Sequence, residues 1–559
     1  MIDAYNLSMQ HEEAPNRQNI RTRDVDMRHR RPERRIGLRV SCAAMAFALF
    51  LPTLFAQEPR ADSPSAAQAK PADTKTAPEA NPPKEESSST DHTIRLGAQT
   101  VPYKATASTT LLRNDKDEPV ASIFSIAYTR ADVKDSSQRP IAFIYNGGPG
   151  SASLWMHMGA FGPRRVVTQN AASTGSGPYQ LVDNENCLVD KADLVFIDPV
   201  GTGFSRTVGK GDTKDYWGVD QDVKSFADFI GIFISRNGRW NSPKFLIGES
   251  YGTFRSVALA NYLQSQRGIY INGIALVSTV LDLNALGFNL GDDRSYIFYV
   301  PSYAASAWYY KTLKNRPDDL GTFLADARHW AATDYAAALM KGDAIGDAEK
   351  SQIAKKLSDF TGLGEDYIVK ANLRVNLAQF EVELQRSRGI TVGRYDSRYS
   401  GPTYDLLIEN AQYDPSYDAV SGAFTAGINS YLRQDLKFRT ALTYVTLSDE
   451  IEPKWDWKRK GADPGSVSVS NDLVQALITN PDLQVQFENG WFDMATPFFA
   501  TEFLADHLLL PPALRSRLTF KYYDSGHMIY LNEQDLPKLK SNIADLIDAT
   551  TKPRDAVKK

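Results

Sequence analysis

The amino-acid sequence predicts an α/β fold: a mostly parallel central sheet flanked by helices, with an inserted, largely helical cap. Three observations lead there. Short, continuously apolar runs stopped by glycines or turn residues recur as PIAFIYNGGPG, ADLVFIDPVGTGFS, KFLIGESYG and INGIALVST, the pattern of strands buried on both faces. Helical periodicity lies between several of them: Val223, Phe226, Ala227, Ile230 and Ile234 put one apolar stripe on a helix from about Gln221 to Ser235. From about Asn284 to Asn480 the strand signal fades, and it resumes in LQVQFENGWFD and RLTFKYYDSGH.

Taken in order, the chain begins with a lead and a targeting signal (1–56). The basic cluster Arg28 to Arg39 runs directly into the apolar stretch Val40 to Ala56, a positive region followed by a hydrophobic core too short to span a bilayer comfortably. Export is expected, to a periplasm or the exterior, with a membrane anchor as the result if the signal is not cleaved. Translation from Met27 is the other reading of the preceding lead. Residues 57–92, rich in Pro, Ala, Ser and charge, read as a disordered linker. Of the two cysteines, Cys42 lies within the signal, which leaves Cys187 as a buried small hydrophobe and no internal disulfide for the fold to depend on.

The first part of the core occupies 93–283. It opens on two β-branched runs around Asn114 to Asp117, a hairpin signal, and then alternates strands with helices. The cap insertion covers 284–480, where YVPSYAASAWYYKTLKN, GTFLADARHWAATDYAAALMKG and EKSQIAKKLSDFTGL read as helices and GITVGRYDSRYSGPTYD as loop. The aromatic side chains of the first of these segments suit either the wall of a substrate cleft or the cap's own core. The second part of the core, 481–550, ends in the amphipathic helix EQDLPKLKSNIADLIDAT, and 551–559 form a tail. With 559 residues, 42% hydrophobic content and a net charge of −4 spread along the chain, a large core is available and nucleic acid is not an expected partner.

The chemistry centres on GESYG, Gly248 to Gly252. By itself Gly-x-Ser-x-Gly is a weak signal, but here it ends an apolar strand and opens a helix ringed by apolar residues, the setting in which a sharp turn lifts a serine hydroxyl above a sheet. A serine needs a base and an acid that orients the base. Seven histidines are available; His11, His29 and His92 fall in or beside the signal and linker, His329 in the cap, His507 on a helix and His157 in a loop ahead of the serine. His527, just after a strand and a glycine, is the candidate base. Asp493 follows a strand end and gives the order Ser, Asp, His; Asp524 is its nearest rival. The N–H of Tyr251 and the glycine loop Asn146 to Gly150 supply candidate oxyanion donors.

The segments NGGPGSASLWMHMGAFGP, FIDPVGTGFSRT, IGESYGTFRS, NGWFDMATP and SGHMIYLNE resemble, in order, the landmarks of the serine carboxypeptidase family, here as a bacterial-type member. The resemblance implies an α/β-hydrolase fold, no metal or cofactor, and release of C-terminal amino acids from peptides through an acyl-enzyme. It makes Ser250, Asp493 and His527 the triad, Gly148 and Tyr251 the oxyanion donors, and Asn146 and Glu249 the residues that bind the substrate's α-carboxylate. A glutamate does this only while protonated, so acidic pH favours such binding. The chain departs from the pattern at Ala160, where the family carries a second glutamate, at Ile144, where an aromatic is expected, and at Ser151, where a cysteine is expected. Glu249 has a second reading, as a structural partner of the elbow. The expectation is therefore an exported serine carboxypeptidase acting on peptides, with an esterase or acyltransferase using the same triad as the alternative. A non-catalytic envelope protein would predict erosion of the triad, which the sequence retains.

Overall fold

The computed structural model describes residues 83–551 apart from 463, 464 and 466. The predicted signal, the first part of the predicted linker and most of the tail lie outside the described residues. Nine strands form the path of the main sheet: β1 (Ser87–Leu96), β2 (Gln99–Arg113), β3 (Pro119–Arg130), β4 (Ile141–Tyr145), β5 (Asp193–Ile197), β6 (Lys244–Ser250), β7 (Gly273–Thr279), β8 (Gln484–Gly490) and β9 (Leu518–Tyr523). They run in the order β1-β2-β3-β5-β4-β6-β7-β8-β9, and a two-residue strand, Arg206–Thr207, pairs with β3 as a tenth. β1, β2 and β3 pair antiparallel, and β3 meets β5 antiparallel. From β5 to β9 every pairing is parallel.

The expected linker ends earlier than composition indicates. Residues 87–92 belong to β1, with Ser87 opposite Ser108 and His92 opposite Tyr103. Alternating exposure along this strand and side-chain bonds such as Ser88 Oγ to Leu436 O (2.7 Å) replace the apolar run that would have marked it. An edge strand carries one ladder of backbone hydrogen bonds and tolerates such polar content.

Both faces of the parallel part are covered, for a reason visible in β4. Ile141, Phe143 and Tyr145 join one apolar cluster and Ala142 and Ile144 the other, since successive side chains point to opposite faces. The first face packs on helices α1 (Val219–Arg236) and α2 (Tyr251–Arg267); Val223, Phe226, Ala227, Ile230 and Ile234, the predicted stripe, are all buried there.

The segment after β7 divides among three layers. Its helices α3 (Arg294–Tyr310), α4 (Leu320–Trp330) and α5 (Asp347–Thr361) share an apolar cluster of their own, into which Phe492, Met494 and Phe498 from beyond β8 also pack. Helix α6 (Ser421–Gln434) instead buries Phe424, Ile428 and Tyr431 in the cluster on the second face of the sheet. Helix α7 (Ser470–Thr479) buries Leu473 and Leu477 beside α2 on the first. Helix α8 (Phe498–Asp506) follows β8, and α9 (Leu536–Thr551) closes the second face. Tyr299 and Tyr303 of α3 lie in the cap core at 1% and 2% exposure, with Tyr296 and Tyr310 packed against it, while Tyr309 is 38% exposed; none of these tyrosines lines the cleft, which favours the core reading of that segment.

Because β4 through β9 run the same way, the segments that follow them emerge at one edge of the sheet. The glycine loop after β4, the serine at the end of β6, Asp493 after β8 and His527 after β9 all belong to that edge. No helix among the described residues is long and apolar enough to cross a membrane.

Candidate active site

Ser250 ends β6 at φ 61° and ψ −131°, a region of backbone space that non-glycine residues enter at a cost, and α2 begins at the next residue. The turn is that tight because its glycines permit it. A side-chain carbon on Gly248 would lie 2.2 Å from Gly252 O and 2.6 Å from Ser256 Oγ, inside contact distance. The turn has the geometry that the sequence predicts for a nucleophile elbow: a half-buried serine on a strained turn, with the first N–H groups of a helix beside it.

The glycine loop after β4 closes onto the same turn. A side-chain carbon on Gly147 would stand 2.4 Å from the nitrogen of Tyr251 and 2.7 Å from that of Gly252. Only a bare glycine lets the two backbones come so close. The arrangement brings Gly148 near the Tyr251 N–H, which has no acceptor within its own helix. Asn146 is fixed in orientation, since its Oδ1 accepts from Met156 N (3.1 Å) and its Nδ2 therefore faces Glu249 Oε1 (2.7 Å). Its carbonyl accepts from Arg255 Nη1 (2.8 Å), and Arg255 in turn pairs with Asp222 at 2.6 Å in full burial.

His527 and Asp493 are 2% and 1% exposed and meet at 2.9 Å, Nδ1 to Oδ2. The imidazole donates its Nδ1–H to the carboxylate, which leaves Nε2 as the acceptor. Burial disfavours a charge on His527, but the charge of Asp493 and its hydrogen bond outweigh this and hold the pKa above the ordinary histidine value. Asp493 is itself held by Ala495 N (2.8 Å), Thr496 N (2.9 Å) and Thr496 Oγ1 (2.7 Å). The rival Asp524 is exposed; its carbonyl accepts from Arg398 and from Asn532 (3.0 Å). Of the other histidines, His157 is buried against Tyr128 (2.6 Å to the hydroxyl), and burial pulls its pKa down to about 3. His329 and His507 lie exposed on or beside helices.

Ser250, His527, Asn146, Gly148, Glu249 and Tyr251 line one cleft of ≈ 410 Å³. Burial pushes Glu249 up to about 7, with His527 opposing the rise and the negative charge of Asp493 adding to it. Its second oxygen, Oε2, makes no hydrogen bond within the protein. Ala160 is wholly buried and does not line the cleft; its carbonyl accepts from Asn184 Nδ2 (2.7 Å). Tyr530 occupies the neighbourhood instead: its ring packs on Gly159, and its buried hydroxyl, itself unbonded, faces Glu249 and Asn146.

Sequence reading missed the frame around the base. The stretch Arg394 to Arg398, read as loop, ties the aspartate and histidine segments together. Tyr395 O accepts from His527 N (2.6 Å), Asp396 Oδ2 from Gly526 N (3.1 Å), Phe492 O accepts from Ser397 N (3.0 Å), and Arg398 donates to Asp524 O. From β7, Ser278 Oγ donates to His527 O at 2.6 Å. Thr496 was legible in principle, as a threonine three residues past an aspartate that follows a strand; the Arg394 to Arg398 contacts join distant segments and leave no local pattern.

The loop and the elbow fall where the chain resembles known proteins. Residues 117–286 match the family described as serine carboxypeptidase. The pheromone-processing carboxypeptidase KEX1 of Saccharomyces cerevisiae is 31% identical over 145 residues, 25% of this chain and 19% of that protein. Serine carboxypeptidase-like 49 of Arabidopsis thaliana is 28% identical over 171 residues, 29% of this chain and 30% of that one. Carboxypeptidase S1 of Penicillium janthinellum is 30% identical over 156 residues, 28% of this chain and 34% of that one. The similarity thus spans about a fifth to a third of these relatives' lengths. A crystal structure of the yeast prohormone-processing carboxypeptidase Kex1(Δ)p superposes with a TM-score of 0.49 at 18% identity, covering 80% of this chain and 91% of that one. Asp493 and His527 lie beyond the matched stretch, and geometry alone brings His527 to the serine's cleft with Asp493 bonded to it. From residue 117 to residue 286, the part that supplies the glycine loop and the nucleophile elbow, the chain is similar to the serine carboxypeptidase family.

Proposed function

We propose that the chain is a serine carboxypeptidase, releasing the C-terminal residue of peptides through an acyl-enzyme. The observation that carries this reading is the cleft that holds Ser250 and His527 together with a buried, charge-suppressed carboxyl, Glu249, beside the serine. Ser250 Oγ attacks the scissile carbonyl while His527 Nε2 takes its proton, and Asp493 stabilises the imidazolium that forms. The N–H groups of Gly148 and Tyr251 receive the oxyanion. His527 then protonates the leaving amine, and water admitted by the same base hydrolyses the ester on Ser250. Asn146 and the protonated Glu249 donate to the free carboxylate of the leaving residue, which restricts cleavage to chain ends.

An esterase or acyltransferase is the second reading, favoured by one observation: Ala160 supplies no second carboxyl to the cleft. The two separate on substrates. The purified protein and Ser250→Ala are assayed on N-blocked dipeptides, their C-terminal amides and simple aryl esters. A carboxypeptidase releases an amino acid only where the carboxylate is free, and loses this in the variant; cleavage of esters alone overturns the reading. Export to a periplasm or the exterior, as in a bacterial-type member of the family, belongs to the same proposal. It is supported by the basic and apolar segments between Arg28 and Ala56 and tested by locating the protein in fractionated cells.

A further inference from the structure

Among the described residues, Arg394 is the one lysine or arginine that lines the cleft; the residue is exposed, and its guanidinium, 5.5 Å from the centre of the Tyr395 ring, makes neither a hydrogen bond nor an ion pair. Its backbone, by contrast, is fixed: Arg394 N donates to Asp414 Oδ1 (3.1 Å) and its carbonyl accepts from Met494 N (3.2 Å). The next residue, Tyr395, accepts the backbone N–H of His527 and sets its ring 5.1 Å from the imidazole. Arg398, four positions on, uses its guanidinium fully on Asp396 and the carbonyl of Asp524. One short segment thus carries two arginines, one committed to structure and one held out into the cleft beside the base.

Asp414 and Glu381 act on Arg394 through their charge, but neither forms an ion pair with it. Asp414 is engaged by the backbone N–H groups of Arg394, Tyr395 and Ser416. Glu381 is buried, its pKa raised by burial to about 8, and so neutral at pH 7. A positive group on a fixed backbone, in a cleft whose acidic lining residues are Glu249 and Glu452, attracts and orients an anion, and a guanidinium matches a carboxylate with two parallel N–H donors.

We propose that Arg394 is an anion-recognition residue of the cleft, its guanidinium binding a carboxylate of the substrate. It supplies a positive partner for that charge in a site where Ala160 leaves Glu249 without a second carboxyl. The proposal rests on the carboxypeptidase reading for its substrate class. That carboxylate is either the free terminus of the peptide or an acidic side chain next to the scissile bond.

Steady-state kinetics of the wild type, Arg394→Met and Arg394→Lys test it on four substrates: N-blocked dipeptides with uncharged side chains, their analogues with Asp or Glu ahead of the scissile bond, an uncharged aryl ester and the same ester carrying a carboxylate. Arg394→Met is expected to lower kcat/KM for carboxylate-bearing substrates relative to the uncharged ester by roughly 10- to 100-fold, mainly through KM. Lysine, which keeps the charge without the planar fork, recovers part of the loss. A loss on every free-terminus dipeptide identifies the α-carboxylate as the ligand, and a loss confined to the acidic analogues identifies the side chain. Equal factors for charged and uncharged substrates overturn the proposal. If only esters are cleaved, the carboxypeptidase reading fails while the pair of esters still decides the role of Arg394.

Discussion

At Glu249 two requirements meet in one carboxyl. Binding a peptide's α-carboxylate needs the proton on, and burial keeps it on to about pH 7. Catalysis needs the proton off His527, whose partner Asp493 holds its pKa above the ordinary value. Ester hydrolysis needs only the second condition, so its kcat/KM rises with pH and levels off. Peptidase kcat/KM carries both and falls again as pH passes about 7. Glu249→Gln cannot ionise, and is expected to remove this alkaline limb while leaving the acidic limb set by His527. Matching pH profiles for peptide and ester in the wild type would make Glu249 a structural partner of Asn146. That Ser250 and His527 share one cleft could be read in the sequence because the first ends a recognisable strand and the second closely follows one. Tyr530 could not: its approach to Glu249 depends on the bare, buried Gly159 on which its ring packs.

The glycine loop and the elbow act as a single element, since β4 and β6 are neighbours and Tyr145 pairs with Gly248. Gly147→Ala puts a methyl 2.4 Å from Tyr251 N, and the loop must retreat. That retreat separates the two N–H groups proposed as oxyanion donors while the His527–Asp493 pair, in the segments after β9 and β8, stays where it is. The expected result is a fall in kcat on the order of 10²-fold, the size of the loss a misplacement of about 1 Å produces. Binding of a substrate analogue to a folded protein should change much less. An unchanged kcat would mean that the oxyanion is held elsewhere. Elements of this kind were legible because their sequences are local. The Arg394 to Arg398 frame was not, because Asp414, Phe492 and His527, to which it bonds, are far along the chain.

For the whole molecule, the sequence conveyed the layers better than the assignment of segments to them. The apolar runs reveal a sheet covered on both faces, but nothing in α6 or α7 says that these helices leave the cap and join opposite faces of that sheet. The same covering has a thermodynamic consequence. It buries carboxyls and lifts their pKa values: Asp198 to about 6, Glu249 and Glu488 to about 7, Glu381 to about 8. The folded protein holds these protons to higher pH than the unfolded chain, which releases them near 3.8 for aspartate and 4.5 for glutamate. Between those values and pH 8 the native state binds more protons, so stability declines as pH rises. His157 acts in the opposite sense. Burial lowers it from 6.5 to about 3, so its contribution is present above 6.5 and is lost as pH falls toward 3. These carboxyls, with Asp222, Glu502, Asp535 and His527 shifted in the same direction, outweigh His157 and His92 and place the highest thermal midpoint at about pH 5, with a fall toward pH 8. Glu488 isolates the effect outside the active site: it sits in β8, bonded by Gln486 and Tyr523. Glu488→Gln should flatten the decline between pH 5 and 8, whatever it does to the midpoint itself. A midpoint that rises across that range in the wild type, or a slope the substitution leaves unaltered, would show that these carboxyls are ionised in the folded protein.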